Sequence, residues 1–514
     1  MKKNCCKEFS AVDEAGVDAA LENAGQSYLL ADRRKQRLYE YYYDTFDWSL
    51  YSSGYHLKRR GGQLYLGLPD KSRMTSGGVT ARKSYLHNDL PESELRTVLH
   101  SVAGIRALCE IVAAKITRSS IDIRNKDRKT VARLQIDEAM AEGNGKEALL
   151  SPFVRLWAMK GYEKAFARVA ADLEKAGLIE APYDQSDLKR YLTAVGREVL
   201  DYSSKYDLTQ PREIRAGQAV SSICLYLLEM MEKNVSGVLD DIDSEFLHDF
   251  RVAMRRTRSL LSQLKNYLPE EKIQRFLDEF KWLGTLTGPV RDLDVYLLEK
   301  DDYASMLPEQ LHGGLDAFFQ DLEKKREKDL TMLRQGLASQ RYRDFIESWR
   351  IFLEDEKGIC DWEPAREDCF PIARRIIGKR YRQILKKGGK LGEHSPDEDL
   401  HRLRIQGKKL RYLLEFFASF FDEKEIQHFH KQLKKLQNNL GDFNDISVQL
   451  EMLEKYRTSI KSRSRRAVEI AAALGGLVTH LAEEHKNVRA QFESTFAGFA
   501  SSENREKFDS LLGE

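Results

Sequence analysis

From "GYEKAFARVAADLEKAGL" (Gly161 to Leu178) to the C-terminus, apolar residues recur every three or four positions, the spacing that gives an α-helix one buried face. Breaks are expected near Pro211, Pro269, Gly288-Pro289, Pro308, Pro364, Pro371, Gly388-Gly389 and Gly441, where helix-stopping residues interrupt the pattern. The first 140 or so residues follow a different rule. "RLYEYYYDT" (Arg37 to Thr45), "GYHLKRR" (Gly54 to Arg60), "QLYLGL" (Gln63 to Leu68), "VTARKSYL" (Val79 to Leu86), "ITRSSIDIR" (Ile116 to Arg124) and "TVARLQIDEA" (Thr130 to Ala139) are short and rich in β-branched or aromatic residues, with turn formers between several of them. They predict an antiparallel β domain, with "PESELRTVLHSVAG" (Pro91 to Gly104) as a helix packed on the sheet. The chain therefore reads as α+β and multidomain: an N-terminal antiparallel β domain followed by an all-α domain.

The helical region contains the same pattern twice. "HDFRVAMRRTRSLL" (His248 to Leu261) sets Arg251, Arg255, Arg256 and Arg258 after a histidine, and "HRLRIQGKKLRYLL" (His401 to Leu414) sets Arg404, Lys408, Lys409 and Arg411 at the same steps. The offset of 153 residues, from His248 to His401, persists downstream, where Gly288 aligns with Gly441 and Asp292 with Asp445. One structural unit has been used twice, which predicts two helical bundles joined about a pseudo-twofold axis. At roughly 100° per residue, His248, Arg251, Arg255 and Arg258 share one stripe of a helix whose other side carries Phe250, Ala253, Leu260 and Leu261. His401, Arg404, Lys408 and Arg411 do the same opposite Leu403, Leu410, Leu413 and Leu414.

Bulk composition does not account for such stripes. Eighty-three Lys and Arg against 81 Asp and Glu leave a net charge of +2, so no overall cationic character draws the chain to a polyanion. The charge is sorted locally: from Arg374 to Arg411 thirteen Lys or Arg face four acids, whereas Asp240, Asp241, Asp243 and Glu245 precede the first motif. At 514 residues, 42% hydrophobic, the chain is long enough for two or more folded domains. No apolar run reaches the roughly 18 residues of a membrane span, and the N-terminus lacks an apolar export segment, so a cytoplasmic protein is expected. The six cysteines, at 5, 6, 109, 224, 360 and 369, form no Cys-x-x-Cys pair and no ligand spacing with histidine. No metal site or cofactor motif is read.

Like charges in a row repel, so each stripe costs stability unless an anion accompanies it. A single such helix is most simply a solvated surface. Two in the same order, each headed by histidine, are what a shared anion site requires, and the equivalent acids Asp292 and Asp445 are candidates to orient its arginines. Nucleic acid is disfavoured as the anion, because base recognition needs exposed aromatics or groups that reach base edges, and only Tyr412 lies near a stripe. A ligand made almost wholly of phosphate needs only rows of Arg and Lys.

The paired histidine motifs, with "LGTLTGPVRDLDV" and "LGDFNDISV" after them, resemble the CHAD domain, the conserved-histidine α-helical domain, over residues 201–514, with repeats at about 205–355 and 358–508. The resemblance implies two four-helix bundles around a basic cavity that binds inorganic polyphosphate, and association with polyphosphate granules. It makes His248, Arg251, Arg255, Arg256, Arg258, His401, Arg404, Lys408, Lys409 and Arg411 candidate ligand contacts, joined by Arg374, Arg375, Lys379, Arg380 and Arg382 of "ARRIIGKRYRQILKKGGK" (Ala373 to Lys390). Residues 1–200 resemble, more weakly, a CYTH domain of the triphosphate tunnel metalloenzymes, through "YYYDTFDWSLYSSGYHLKRRGG" and "WAMKGYEKAFARVAADLEKAGL". Such enzymes open with a Glu-x-Glu-x-Lys strand that holds the metal; "CKEFSAVDEAG" supplies neither the second Glu nor the Lys. Strand alternation puts Lys58 and Arg60 on one side, and with Arg82, Arg118 and Arg133 a cationic interior is expected without catalysis. Metal-dependent hydrolysis of triphosphate or polyphosphate by this domain, and a nucleic-acid-binding helical module, are the competing readings.

Overall fold

Alternation of apolar and polar residues in the N-terminal region ends in a single antiparallel sheet. The computed structural model describes residues 6–68, 73–181, 187–355, 359–461 and 464–512, and the chain divides into two units, Met1–Ser203 and Ser204–Glu514. In the first unit the strands lie in the order Ile179–Glu180, Cys6–Ser10, Phe153–Ala158, Thr130–Gly143, Leu108–Arg124, Arg34–Thr45, His56–Arg60, Gln63–Gly67 and Arg73–Gly78. The expected helix spans Glu94–Ala103; Ser93 Oγ accepts the Arg96 N–H at 3.2 Å at its start, and Gly104, at φ +59°, ends it. Its Leu95 and Leu99 are buried with Leu57, Leu64 and Leu66 of the sheet.

Two features of this unit depart from the sequence reading. The strand expected over Val79 to Leu86 pairs only at Ser84–Tyr85. The Tyr85 hydroxyl donates to Thr80 O at 2.7 Å and accepts the Arg82 N–H at 3.1 Å, which folds the segment onto itself instead of along a neighbour. A helix, Glu14–Ser27, precedes the first expected strand and was not among the expected elements; Asp13 caps it by accepting the Gly16 N–H at 2.8 Å, and its buried residues Val17, Ala20 and Ala24 are too small to give a strong periodic signal.

In the second unit the repeat governs the helices themselves. Ala216–Asp240, Ser244–Gln263, Glu270–Leu298 and His312–Leu337 start 153 residues before Cys369–Gly388, Asp397–Phe416, Glu423–Ser459 and Arg465–Ala490, respectively. Leu293, Tyr296, Leu315 and Phe318 from the first set share a core with Ile446, Leu453, Leu474 and Leu477 from the second. The expected breaks at Gly288-Pro289 and Gly441 are not there: Glu270–Leu298 and Glu423–Ser459 run through them. A proline deletes one backbone hydrogen bond and a glycine costs about 1 kcal/mol against alanine. Burial of Leu283, Val290 and Leu293 on either side of the first break, and of Leu436, Leu440 and Phe443 around the second, outweighs both. Pro371 sits in the first turn of its helix, where no intrahelical N–H partner is needed.

Among the described residues no helix is long and apolar enough to cross a membrane. Cys6, Cys109, Cys224, Cys360 and Cys369 are unbridged; Cys5 lies outside the described residues.

Candidate anion site

The first histidine-headed motif lies on Ser244–Gln263, whose start is fixed by Asp243 accepting the Glu245 N–H at 2.8 Å. Phe246, Leu247, Phe250, Leu260 and Leu261 are buried, which turns the stripe away from the core. Arg251 donates to Thr287 Oγ1 at 2.7 Å and to Gly284 O at 3.4 Å. A Cβ on Gly288 would lie 3.6 Å from the Arg251 guanidinium, and one on Gly284 3.5 Å from that of Arg258. Two arginines thus lie along the backbone of Glu270–Leu298 beside glycines one turn apart, at distances a methyl group would also tolerate. Burial, and then the neighbouring Arg255, lowers the Arg251 pKa, with Asp292 opposing.

On Asp397–Phe416 the second stripe is anchored differently. Arg404 donates to Asp445 Oδ1 at 3.1 Å, and His401 Nδ1 meets Asn444 Oδ1 at 2.5 Å. Of the two acids expected to orient arginines, Asp445 does so by contact; Asp292 acts on Arg251 through space, without an ion pair among the described residues.

The stripes meet at equivalent positions. Lys408 is pushed down to about 8 by burial and then by Arg404 and Arg255, while Asp445 pulls the other way. Burial also lowers Arg404, with Arg255 adding to it. Arg255 and Lys408 occupy the same place in the two repeats, and they lie close enough for Arg255 to disfavour the charged form of Lys408. Among the described residues neither has a carboxylate within 4 Å. Arg251, Arg255, Arg404 and Lys408 form a cationic cluster whose nearest fixed counter-charges are Asp445 and Asp292.

Other candidates lie elsewhere. Arg256 is only 7% exposed and donates to Glu415 Oε2 at 2.8 Å, with its guanidinium over the rings of Tyr206 and Tyr412 at 5.8 and 5.9 Å. It belongs to the packed seam between the motif helices. Arg411 shares Glu415 at 3.2 Å and donates to Gln437 at 3.3 Å. Lys409, half-buried, is lowered by burial and by Arg380, whose guanidinium donates to Gln383 and Gln406. Arg374 lies over Phe370, and Arg375 donates to the Tyr267 hydroxyl. Arg258, Lys379 and Arg382 are exposed, and His248 is half-buried. Sequence reasoning missed Thr287, Glu415 and Asn444; the repeat could not flag Asn444, because Arg291 stands at its equivalent position.

In the N-terminal unit three of the five candidates converge. Glu40, 1% exposed, accepts Lys58 Nζ at 3.1 Å, the Arg60 guanidinium, and the Tyr42 hydroxyl at 2.8 Å. Lys58 and Arg60 thus face the same side. Arg118 holds Asp137 with bonds of 2.7 and 2.8 Å, and Arg155 joins Asp137, Glu8 and Asp187. Beside them lies a cavity of about 310 Å³ lined by Tyr42, His56, Lys58, Arg60, Tyr65 and Arg73. Burial brings Lys58 down to about 8. Arg82 and Arg133 are outside this group, exposed and bound to Asp89 and Asp122. Among the described residues no three His, Cys, Asp or Glu side chains cluster as metal ligands.

The family model of the CHAD domain matches residues 223–454. An uncharacterized protein of Mycobacterium tuberculosis (strain CDC 1551 / Oshkosh), MT2285, is 26% identical over 214 residues, and its counterpart in strain H37Rv, Rv2226, matches equally. The match takes in 40% of this chain and 39% of each relative, so the chain spans about two fifths of the length of the curated relatives it matches. The crystal structure of the CHAD domain from the plant Ricinus communis is similar at 25% identity and TM-score 0.48, over 57% of this chain and 96% of that one. PptA from Streptomyces chartreusis is similar at 16% identity and TM-score 0.43, over 55% of this chain and 99% of its own.

Proposed function

Residues 223–454 are a CHAD domain, and from that premise we propose that the helical unit binds inorganic polyphosphate at the cluster of Arg251, Arg255, Arg404 and Lys408. The observation that carries the reading is the approach of Arg255, from the first repeat, to Arg404 and Lys408 of the second, whose affinity for protons it lowers. A fold that gathers four cations beside two carboxylates, Asp445 and Asp292, gains stability when a polyanion supplies further negative charge. Polyphosphate suits it better than nucleic acid, because Tyr412, beside the second stripe, is buried beneath Arg256 and offers no face for a base. The proposed cellular setting is the cytoplasm, on polyphosphate granules. Titration with long-chain polyphosphate at two salt concentrations tests the reading: affinity should fall steeply with salt by counterion release, and RNA of matched charge should compete poorly. Equal competition by RNA would favour the nucleic-acid reading.

A pH dependence follows from Lys408. Its ordinary value is 10.5 and the fold holds it near 8; a bound polyanion favours the charged form and raises it again. Binding then takes up a proton above pH of about 8, so affinity declines as pH rises through that value. In the ligand-free chain the sign reverses: the charged form is disfavoured by folding, and Lys408 destabilises less as pH climbs from 8 toward 10.5. Lys408→Arg should remove the decline in affinity while keeping the charge. An identical pH profile in both proteins would overturn this assignment.

For the N-terminal unit we propose a CYTH-like auxiliary role without catalysis. The carboxylate of its Cys6–Ser10 strand, Glu8, is taken by Arg155, and Glu40 and Asp137 are neutralised by internal cations. These groups do not fit a divalent metal, which needs carboxylate oxygens free to bind it. The purified protein should release no phosphate from tripolyphosphate on addition of Mg²⁺ or Mn²⁺. Metal-dependent release that disappears in Lys58→Ala with Arg60→Ala would establish the hydrolase reading instead.

A further inference from the structure

Asn444, on Glu423–Ser459, is 7% exposed. Its Nδ2 donates to Asp445 Oδ1 at 3.1 Å, which turns Oδ1 toward His401. An amide oxygen has no proton to give, so across the 2.5 Å contact His401 Nδ1 is the donor and carries its proton whether the ring is neutral or charged. The same Asp445 oxygen receives Arg404 at 3.1 Å. One carboxylate thus holds two members of the cationic stripe, one directly and one through an amide. One turn before His401, Asp397 is bound by Arg489, with His485 Nε2 at 3.9 Å from the same carboxylate.

The first repeat is built otherwise. Arg291 replaces Asn444 and has no acceptor to offer an imidazole; it donates to Ser244 O at 3.1 Å and Glu245 Oε1 at 3.3 Å. Arg251, equivalent to Arg404, is held by the neutral oxygens of Thr287 and Gly284.

We infer that Asn444 is a positioning residue that commits His401 Nδ1 inward and leaves Nε2, on the opposite edge of the ring, as the nitrogen that meets the ligand. This rests on the polyphosphate reading for the nature of that ligand. Phosphate oxygens in polyphosphate accept and do not donate, so His401 must bind a second proton, taken from solvent, to bond one through Nε2. His401 therefore bonds an anion through Nε2 only by taking up a proton, and the amide that imposes this in the second repeat is replaced by Arg291 in the first.

Side-chain ¹H–¹⁵N spectra of the ¹⁵N-histidine-labelled full chain, with His401 assigned through His401→Asn, test the inference. In the wild type His401 should show the Nδ1–H form, and long-chain polyphosphate should add a proton at Nε2. Asn444→Ala should shift the free ring toward the Nε2–H form, which donates to a phosphate oxygen without a second proton, so the uptake of a proton by the ring on binding long-chain polyphosphate should be lost. Should Asn444→Ala fail to fold, Asn444→Leu, which fills the same space without an acceptor, serves in its place. An unchanged tautomer in the folded variant overturns the positioning role. A wild-type chain that binds no polyphosphate overturns the functional reading, while the free-ring spectra still decide whether Asn444 sets the tautomer.

Discussion

Arg404→Ala combined with Lys408→Ala should weaken long-chain polyphosphate binding by about a hundredfold, and Arg251→Ala combined with Arg255→Ala should do so by a similar factor. Each cation removed takes away a charge-assisted contact of roughly 1.5–3 kcal/mol, reduced where salt and water screen it, so about 3 kcal/mol for a pair is the expected scale. Both pairs should also flatten the dependence of affinity on salt, because fewer counterions are released per complex. Stability should change little or rise, since the four groups repel one another and their helices are held by the opposite, apolar faces. Isothermal titration at two ionic strengths, with a denaturation curve for each variant, reads all three quantities. A folded variant in which one pair abolishes binding while the other leaves affinity and salt slope intact would sink the shared site.

Arg256 should behave in the opposite way. It lies on the same motif but is buried against Glu415, Tyr206 and Tyr412. Glu415→Ala leaves that guanidinium in the seam without its counter-charge, a situation that costs roughly 3–5 kcal/mol in buried pairs. Arg256→Ala removes the charge but opens a hole between two tyrosines and leaves Glu415 with fewer partners, so a loss of about 2–4 kcal/mol is expected. Lys379→Ala on the exposed side of Cys369–Gly388 should fall within about 0.5 kcal/mol of wild type. Urea unfolding of the three variants gives the ranking directly. If Arg256→Ala leaves the unfolding midpoint untouched and instead lowers polyphosphate affinity, Arg256 is a ligand contact and does not belong to the seam.

The contrast between Arg255 and Arg256 marks how far the sequence could be read. Helical spacing places both on the motif and separates the cationic side from the buried one, and the fixed offset between motifs appears again in the starts of four helix pairs. What adjacent positions face depends on a second helix, and spacing within one helix carries no record of its partner. Arg256 and Lys409 are repeat equivalents, yet one meets Glu415 and the other Arg380. Gly288-Pro289 and Gly441 were misread for a related reason: local propensity is outweighed by apolar contacts made on both sides of the weak point. Asn444 was illegible because an uncharged amide has no motif; only its place between His401 and Asp445 gives it a task.

The core that Leu293 and Phe318 share with Ile446 and Leu477 has a mechanical consequence. Two copies of a duplicated unit that each kept a private core could swing on their connection and open or close around a ligand. Here neither copy can withdraw without exposing the other's interior, so they melt as one. The relative placing of Arg255 and Lys408 is then set by packing away from the charges themselves. If the site takes polyphosphate as proposed, the ligand would meet cations already in place, and binding would require no closure of one copy on the other.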